Sequence, residues 1–416
     1  MTKFYYGFLS LLLLSLVTSC NEARPAERPG TTTIEVPALL PRPDALQNAA
    51  EWEQTQNGYS EMANELRSTD PQGVEPRITL AKIFINEARV TGEHGHYYPA
   101  ALRMLDEAIA LNREGERNPN LEFDALAARA SVLLSQHAFR QALATAREAV
   151  AINPYNAQVY GAIVDAHVEL GNYGEAIAAA DKMNAIRPDL RSYSRVSYLR
   201  EIHGDPEGAI DAMERAVRAG APGYESTAWA RLTLGELYER YGQPERAAEE
   251  YAAILRERPN YPFAIAAQAD LAVEAGDLAQ AEKKLKEAAA IIPEVGYYVQ
   301  LAALYKRQGR IQEMEKMEAE IMTMLKDDVA SGHNMDMEYA TLYRDHFEDY
   351  EKALLYSERE YVARPANIDV NRLMASVLLE LGRESEAREH LTVAASTESR
   401  HPELVRLRDR LGMASK

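Results

Sequence analysis

The stretch WARLTLGELYERYGQPERAAEEYAAILRERP, residues 229–259, decides the fold of this chain. In its first half, apolar and small residues recur at helical spacing, and Gly242 then interrupts the pattern. A second helical pattern follows and stops at Pro259, because proline lacks a backbone N–H and clashes with the preceding turn. The stretch therefore predicts two helices joined by a tight turn.

The same pattern returns along most of the chain. A small residue follows each predicted turn between helices, at intervals of 33 to 41 residues. Turn glycines and helix-ending prolines recur at related positions, which indicates an internal repeat. The series, in which methionine once replaces alanine, is Ala101, Ala142, Ala176, Ala209, Ala247, Ala281, Met314, Ala353 and Ala387.

The unit resembles the tetratricopeptide repeat, a pair of antiparallel helices of about 34 residues with a W…LG…Y…A…P pattern. The resemblance implies an all-α fold, an α-solenoid in which eight to nine helix pairs stack into a right-handed superhelix. It also implies that Gly235 and Ala247 let two backbones approach closely. Three longer intervals predict loop insertions at 113–120, 219–226 and 326–336.

The first nineteen residues carry an apolar run that is too short to span a bilayer and is typical of a secretory signal. The run ends at Val17-Thr18-Ser19-Cys20, which resembles the lipobox of bacterial lipoproteins and implies lipid modification of Cys20. Several acyl chains would anchor the protein stably in a membrane. The alternative is an ordinary signal peptide with an incidental cysteine. Cys20 is the single cysteine of the chain, which excludes an intramolecular disulfide.

The sequence divides into five predicted segments. A Pro-rich stretch after Cys20 has no helical or strand period and predicts a flexible spacer. The segments are a lipoprotein signal peptide at 1–19, a flexible linker at 20–43, N-terminal capping helices at 44–76, the repeat array at 77–400 and a C-terminal capping helix at 401–416.

Charge and motifs restrict the function. The formal net charge of −18 disfavours nucleic acid as a partner, because phosphate backbones repel a polyanion. The sequence contains no phosphate-cradling, nucleophile-elbow or metalloprotease motif, so we predict no enzyme activity and no cofactor. His94 and His96 are expected in the loop between the first two repeat helices. Because zinc sites need three or four ligands, we predict no metal site there.

In the tetratricopeptide family, the first helices of the pairs line a concave face that usually holds a peptide or a partner helix. The repeat register predicts a partner-binding groove rich in arginine and aromatic side chains, which contribute much of the binding energy at interfaces. An alternative for the arginines is neutralisation of acids across a repeat boundary. The predicted groove residues are Asp165, Arg191, Arg195, Tyr198, Trp229, Glu236 and Asp270.

These features predict a membrane-anchored adaptor that binds protein or peptide partners in the bacterial cell envelope. Asn21 stands where some bacteria use aspartate to retain lipoproteins at the inner membrane, which favours the outer membrane. The alternative is a glycan- or nutrient-binding surface lipoprotein. With two tryptophans and three modest insertions, the chain has little room for the aromatic platform of that class.

Overall fold

A computed structural model describes residues 34–47 and 49–413, so the predicted signal peptide and Cys20 lie outside the described residues. Backbone contacts divide the chain into Met1–Glu35 and Val36–Lys416, and every helix reported below belongs to the second unit. In the part of the chain that the structure describes, no helix is both long enough and apolar enough to cross a membrane.

The fold is the predicted all-α solenoid of stacked antiparallel helix pairs. A short 3-10 turn, Asp44–Leu46, precedes α1, Ala49–Asn64, and a π-helical turn, Glu65–Thr69, continues α1. The described residues then form nine helix pairs, followed by the single helix α20, Pro402–Arg410. The pairs are α2 Val74–Thr91 with α3 His94–Glu114, α4 Pro119–Ser135 with α5 Phe139–Ile152, α6 Ala157–Glu169 with α7 Tyr173–Ile186, α8 Leu190–Ile202 with α9 Pro206–Ala219, α10 Glu225–Arg240 with α11 Pro244–Glu257, α12 Pro262–Glu274 with α13 Leu278–Ile291, α14 Val295–Gln308 with α15 Ile311–Ala330, α16 Asp336–Asp345 with α17 Tyr350–Ala363, and α18 Ile368–Glu380 with α19 Glu384–Ala394.

Glycine and proline set the ends of these helices. The glycines at the turns within pairs have φ between 68° and 80°, the left-handed region that glycine enters without a Cβ clash. Proline stands two residues beyond the last residue of five second helices, where it cannot continue a helix. The turn glycines are Gly92, Gly171, Gly204, Gly242, Gly276, Gly309 and Gly382, and the prolines are Pro154, Pro188, Pro259, Pro293 and Pro365.

Small residues determine how closely the helices pack. The eight alanines of the repeat series have no solvent-exposed surface, whereas Met314 is partly exposed. At Gly235, an added Cβ would overlap with the ring of Tyr251, which is fully buried. The glycine thus makes room for an aromatic ring of the second helix, whereas the resemblance implied a close approach of two backbones.

Two local expectations differ from the structure. Helix α15 continues to Ala330, so the insertion at 326–336 begins by lengthening a helix and only then forms a loop. His94 and His96 lie in the first turn of α3 and not in a loop. The reason is that Gly92 ends α2 in the left-handed conformation, after which α3 begins at His94.

The end of the predicted flexible linker is fixed on the first helix pair. Arg42 is 2% exposed, and its Nε and Nη2 donate to the buried carboxylate of Glu87 at 2.7 and 2.6 Å. The backbone N–H of Leu40 donates to the hydroxyl of Tyr97 at 3.0 Å. Residues 36–42 are therefore packed and hydrogen-bonded, contrary to the expectation of a flexible linker throughout 20–43, because their basic and backbone groups find partners on α2 and α3.

Helix pairs that are distant in sequence meet along a line of contacts that we call the seam. At its centre, the turn between α6 and α7 packs against the connector between α17 and α18. The side-chain amide of Asn367 donates to the carbonyl of Glu169 at 3.0 Å, and the N–H of Ile368 donates to the hydroxyl of Tyr173 at 2.8 Å. At Gly171, an added Cβ would overlap with the carbonyl group of Ala366. The two segments thus touch backbone to backbone.

The seam has a constant register. Each contact joins the turn within one helix pair to the connector that follows a later pair. That later pair stands five pairs further along the chain. The ring nitrogen Nδ1 of His137, in the turn between α4 and α5, lies 2.8 Å from the carbonyl oxygen of Asn334 in the connector between α15 and α16. Gly92 lies against Ile292, and Gly204 lies against Glu398, with the same offset. The array therefore turns back on itself, and its later pairs rest on its earlier ones.

Candidate partner-binding groove

The first helices of distant pairs line a shared concave surface, which we call the groove. Tyr198 on α8 is 39% exposed. Even so, burial raises its pKa well above the usual range, and the carboxylates of Asp369 and Glu169 raise it further. A side chain that touches water and is still surrounded by protein lies in a concavity. Since Glu169 belongs to α6 and Asp369 to α18, the groove is formed by pairs that the seam brings together.

Arg195 is engaged within the protein. Its Nε and Nη2 donate to the carboxylate of Asp165 at 2.8 and 2.6 Å, and its Nη1 donates to the carbonyl of Arg191 at 3.0 Å. Gly161 makes this possible, because an added Cβ there would lie 2.9 Å from Cζ of Arg195. Of the two alternatives for this arginine, the structure therefore favours neutralisation of an acid across the boundary between α6 and α8.

Arg191 differs from Arg195, although it lies on the same helix. The carboxylate of Asp189 accepts from the backbone N–H of Arg191 at 3.0 Å and from that of Ser192 at 3.1 Å, which caps α8. The other oxygen of Asp189 pairs with Nε of Arg187 at 3.0 Å. Within residues 34–47 and 49–413, the guanidinium of Arg191 has no ion-pair or hydrogen-bond partner. Burial lowers the pKa of Arg191, and the guanidinium of Arg89 lowers it further.

Glu236 and Asp270 belong to an acidic part of the groove. Burial raises the pKa of Asp270 to about 6, and the neighbouring Glu274 adds to the increase. Burial also raises the pKa of Glu239 to about 7, although the hydroxyl of Tyr251 donates to that carboxylate. Four carboxyl groups from α10 and α12 thus share one region. This part of the groove is therefore suited to a cationic group, while the surroundings of Arg191 are suited to an anionic one.

Trp229 completes the predicted set. Its side chain is 41% exposed, and in the described part of the chain its ring makes no aromatic or cation–π contact. Its carbonyl oxygen accepts from the hydroxyl of Thr233 at 3.1 Å.

Taken together, the predicted groove residues form two close groups, Asp165 with Arg195 and Glu236 with Asp270. Tyr198 lies near the seam.

Sequence reasoning missed Arg89 and Asp369. Arg89 lies in the last turn of α2, three pairs before Arg191. The repeat register relates only neighbouring pairs, so nothing in the sequence indicated that α2 and α8 approach each other. Only the tertiary structure places these residues around the groove.

The two histidines at the start of α3, His94 and His96, contact different neighbours. The ring of His94 stacks on Tyr98 with ring centroids 5.1 Å apart, and Nε2 of His96 lies 2.8 Å from the carbonyl oxygen of Ala38. Among the residues described, no group of three or more His, Cys, Asp or Glu side chains is arranged to hold a metal ion. Packing contacts account for both imidazoles.

Comparison with known proteins agrees with the repeat architecture. Two family models, both described as tetratricopeptide repeat, match residues 133–200 and 203–262. The chain contains tetratricopeptide repeats. This repeat protein is also similar to cellulose synthase operon protein C of Xanthomonas axonopodis pv. citri (strain 306), with 28% identity over 267 residues. The match covers 58% of this chain but 17% of the relative, so the chain spans only a small part of the protein it resembles.

Solved structures of similar shape have low sequence identity to the repeat protein. The APC/C hetero-tetramer Cut9-Hcn1 has a TM-score of 0.47 at 14% identity, with coverage of 88% of this chain and 60% of that one. PilW, a type IV pilus biogenesis factor, has a TM-score of 0.40 at 18% identity, with coverage of 48% and 92%. Pseudomonas aeruginosa pilF has a TM-score of 0.41 at 17% identity, with coverage of 50% and 93%.

Proposed function

We propose that this repeat protein is a lipid-anchored, non-catalytic adaptor of the bacterial envelope, which binds a protein or peptide partner in its groove. The observation that carries the proposal is the set of polar side chains that the first helices hold in the concavity. Tyr198, Glu236 and Asp270 keep polar, solvent-accessible groups inside a concavity. Tetratricopeptide arrays are generally non-catalytic scaffolds that bind partners on such a surface.

The anchor is supported by the sequence around Cys20. An apolar run followed by Val17-Thr18-Ser19-Cys20 is the arrangement from which lipidation is inferred. A lipid at that position would hold one end of the protein at a membrane, and we place that membrane in the envelope, with the outer membrane favoured by Asn21. Replacement of Cys20 by serine should release the protein from the membrane fraction, and mass spectrometry should detect acyl chains only on the unaltered protein.

Photo-crosslinking in living cells tests the adaptor role. A photoreactive phenylalanine at Tyr198 should crosslink to a protein, since that side chain faces the groove. The matched control is the same substitution at Val362 on the second helix α17, which is 80% exposed and therefore at least as accessible as Tyr198. Equal crosslinking from both positions, or none from Tyr198, would contradict binding in the groove. Crosslinks from Tyr198 to glycan alone would favour the glycan-binding alternative.

A further inference from the structure

Because the helices of each pair are antiparallel, the connectors between pairs all lie on one edge of the array. Three of these connectors form a surface that we call the rim, namely residues 153–156, 187–189 and 220–224. Deepening the proposed function, on whose lipid anchor this inference rests, we propose that the rim rests on the surface of the phospholipid bilayer that holds Cys20. Tyr155 and Tyr224 would enter the interface between the lipid headgroups and the acyl chains.

Contacts join the three connectors of the rim. Tyr155 of the first and Arg187 of the second line one shared depression. Gly220 of the third lies against the side chain of Leu190, which directly follows the second, so that an added Cβ would be 2.9 Å from that side chain. The connectors in the seam belong to later pairs. The rim is therefore one surface, and the seam does not cover it.

The rim carries two strongly exposed tyrosine side chains. Tyr155 is 78% exposed and Tyr224 is 67% exposed, and the nearby Pro154 and Pro222 are exposed as well. The ammonium group of Lys182 lies 5.9 Å from the centroid of the Tyr155 ring. A tyrosine has an apolar ring and a polar hydroxyl, which suits the boundary between membrane and water. A lysine beside it can reach the lipid phosphates.

The acidic groups at the rim already have partners within the protein. Arg187 and Asp189 are the charged residues of the rim, and they pair with each other at 3.0 Å. The carboxylate of Glu257, on α11, accepts from the backbone N–H of Gly223 at 2.7 Å. A chain with a net charge of −18 thus presents a rim whose own charges cancel. Anionic lipids therefore do not repel the rim as they repel the acidic remainder of the protein.

The N-terminal segment, which leads to the anchor, meets the same edge of the array. The carbonyl oxygen of Ala45 accepts from the side-chain amide of Asn260 at 3.0 Å, and Asn260 lies in the connector between α11 and α12. That connector also contacts the rim, because Nη1 of Arg258 donates to the carbonyl of Gly223 at 3.0 Å. The segment that follows the anchor and the rim are therefore joined through a single connector.

The chain between the anchor and the folded part is long enough for this arrangement. From Cys20 to Val36, where the packed part begins, the chain takes sixteen residue steps and spans at most about 58 Å. Helix α3, with 21 residues, is roughly 32 Å long, so the connection can pass along a whole helix pair. An anchor also keeps the effective concentration of the bilayer at the rim high, so weak contacts of two tyrosines hold the rim there.

Electron paramagnetic resonance of the full-length protein in vesicles of phosphatidylethanolamine and phosphatidylglycerol tests the proposal. A nitroxide is attached at Ala221→Cys, which keeps both tyrosines of the rim. The control is Ile311→Cys, at a position that is 50% exposed and follows a turn on the opposite edge of the array. Lipidated Cys20 has no free thiol, so the label attaches to the introduced cysteine.

On the vesicles, collisions of the Ala221 label with a water-soluble nickel complex should fall several-fold and collisions with oxygen should rise, because the label enters the interface. The Ile311 label should collide with the nickel complex as often as it does without vesicles. Combining Tyr155→Ser with Tyr224→Ser should restore the nickel collisions at Ala221, since the apolar rings that hold the rim in the interface are then absent.

Three outcomes would overturn the proposal. These are an Ala221 label as open to the nickel complex as the Ile311 label, shielding that the two serines leave unchanged, and shielding that appears without vesicles, which would indicate a second copy of the chain at the rim. Melting curves check that each variant is folded. Flotation of the vesicles distinguishes this inference from the proposed function. If the protein floats while the Ala221 label stays exposed, the rim contact is wrong and the anchor stands, whereas a protein that does not float contradicts the anchor itself.

Discussion

Neighbouring helix pairs and the seam are held together by different kinds of contact. Between neighbours, fully buried alanines and aromatic rings form continuous apolar clusters. At the seam, side chains donate to backbone carbonyls far away in sequence, as Arg140 does to Ala363 and Asn367 does to Glu169. A hydrogen bond contributes about 1 kcal/mol net, whereas full burial of a large apolar side chain contributes about 1.5–3 kcal/mol. The seam also contains the ion pair of Arg364 with Glu169. Because it buries fewer large apolar side chains, we expect it to open before the pairs unfold.

The largest effect should come from comparing two glycine substitutions, one at a turn that contacts the seam and one at a turn that has no such contact. Gly171 and Gly242 have nearly the same φ, 76° and 75°, so alanine at either position costs about 1–2 kcal/mol of backbone strain. At Gly171 the new Cβ also overlaps with Ala366, while at Gly242 no atom lies within 4 Å. We expect Gly171→Ala to destabilise the protein by about 1–3 kcal/mol more than Gly242→Ala.

Hydrogen exchange locates that difference. The amide of Ile368, which donates to Tyr173, should exchange faster in Gly171→Ala and remain protected in Gly242→Ala. Equal stability of the two variants, with unchanged exchange at Ile368, would show that the seam is not a stabilising contact.

A second pair of substitutions tests the packing within a helix pair. In Gly235→Ala the added methyl overlaps with the buried ring of Tyr251, and we expect a net loss of about 1–2 kcal/mol after the gain in helix propensity. In Gly174→Ala, on α7, the added methyl meets no atom within 4 Å, so propensity alone should stabilise that helix by about 0.5–1 kcal/mol. Equilibrium unfolding in guanidinium chloride measures both, and a stabilised Gly235→Ala variant would contradict the packing described for this pair.

The smallest effect concerns the acidic part of the groove and depends on pH. Because the pKa of Asp270 is raised from 3.8 to about 6, the folded protein holds this proton more tightly than the unfolded chain does. The resulting stabilisation is present below the unfolded pKa and is lost as the pH rises through about 6. Asp270→Asn should therefore melt slightly higher than the unaltered protein at about pH 8, and the difference should shrink towards about pH 4. The exposed Asp181 on α7 provides the control variant, Asp181→Asn, which removes a negative charge outside the groove.

The groove could be predicted from the sequence only in part. The register placed Asp165, Arg195, Glu236 and Asp270 on first helices, and the contacts within these two groups join pairs that follow one another in the chain. It could not distinguish Arg191 from Arg195, because that difference depends on the space that Gly161 leaves and on the oxygens that Asp189 has already engaged. A residue type at a given register does not reveal whether its hydrogen bonds are already made.

The sequence by itself determined the repeat unit, its helix ends and its buried alanines, because these follow from steric properties of single residues acting over a few turns of chain. Only the tertiary structure decided that the array closes at a seam. The offset of five pairs accumulates from small rotations at every pair, so no single sequence motif predicts it. That closure brings Asp369 close to Tyr198, and the turning of the array lets the charge of Arg89 act on Arg191. It thereby determines which charges meet within the groove.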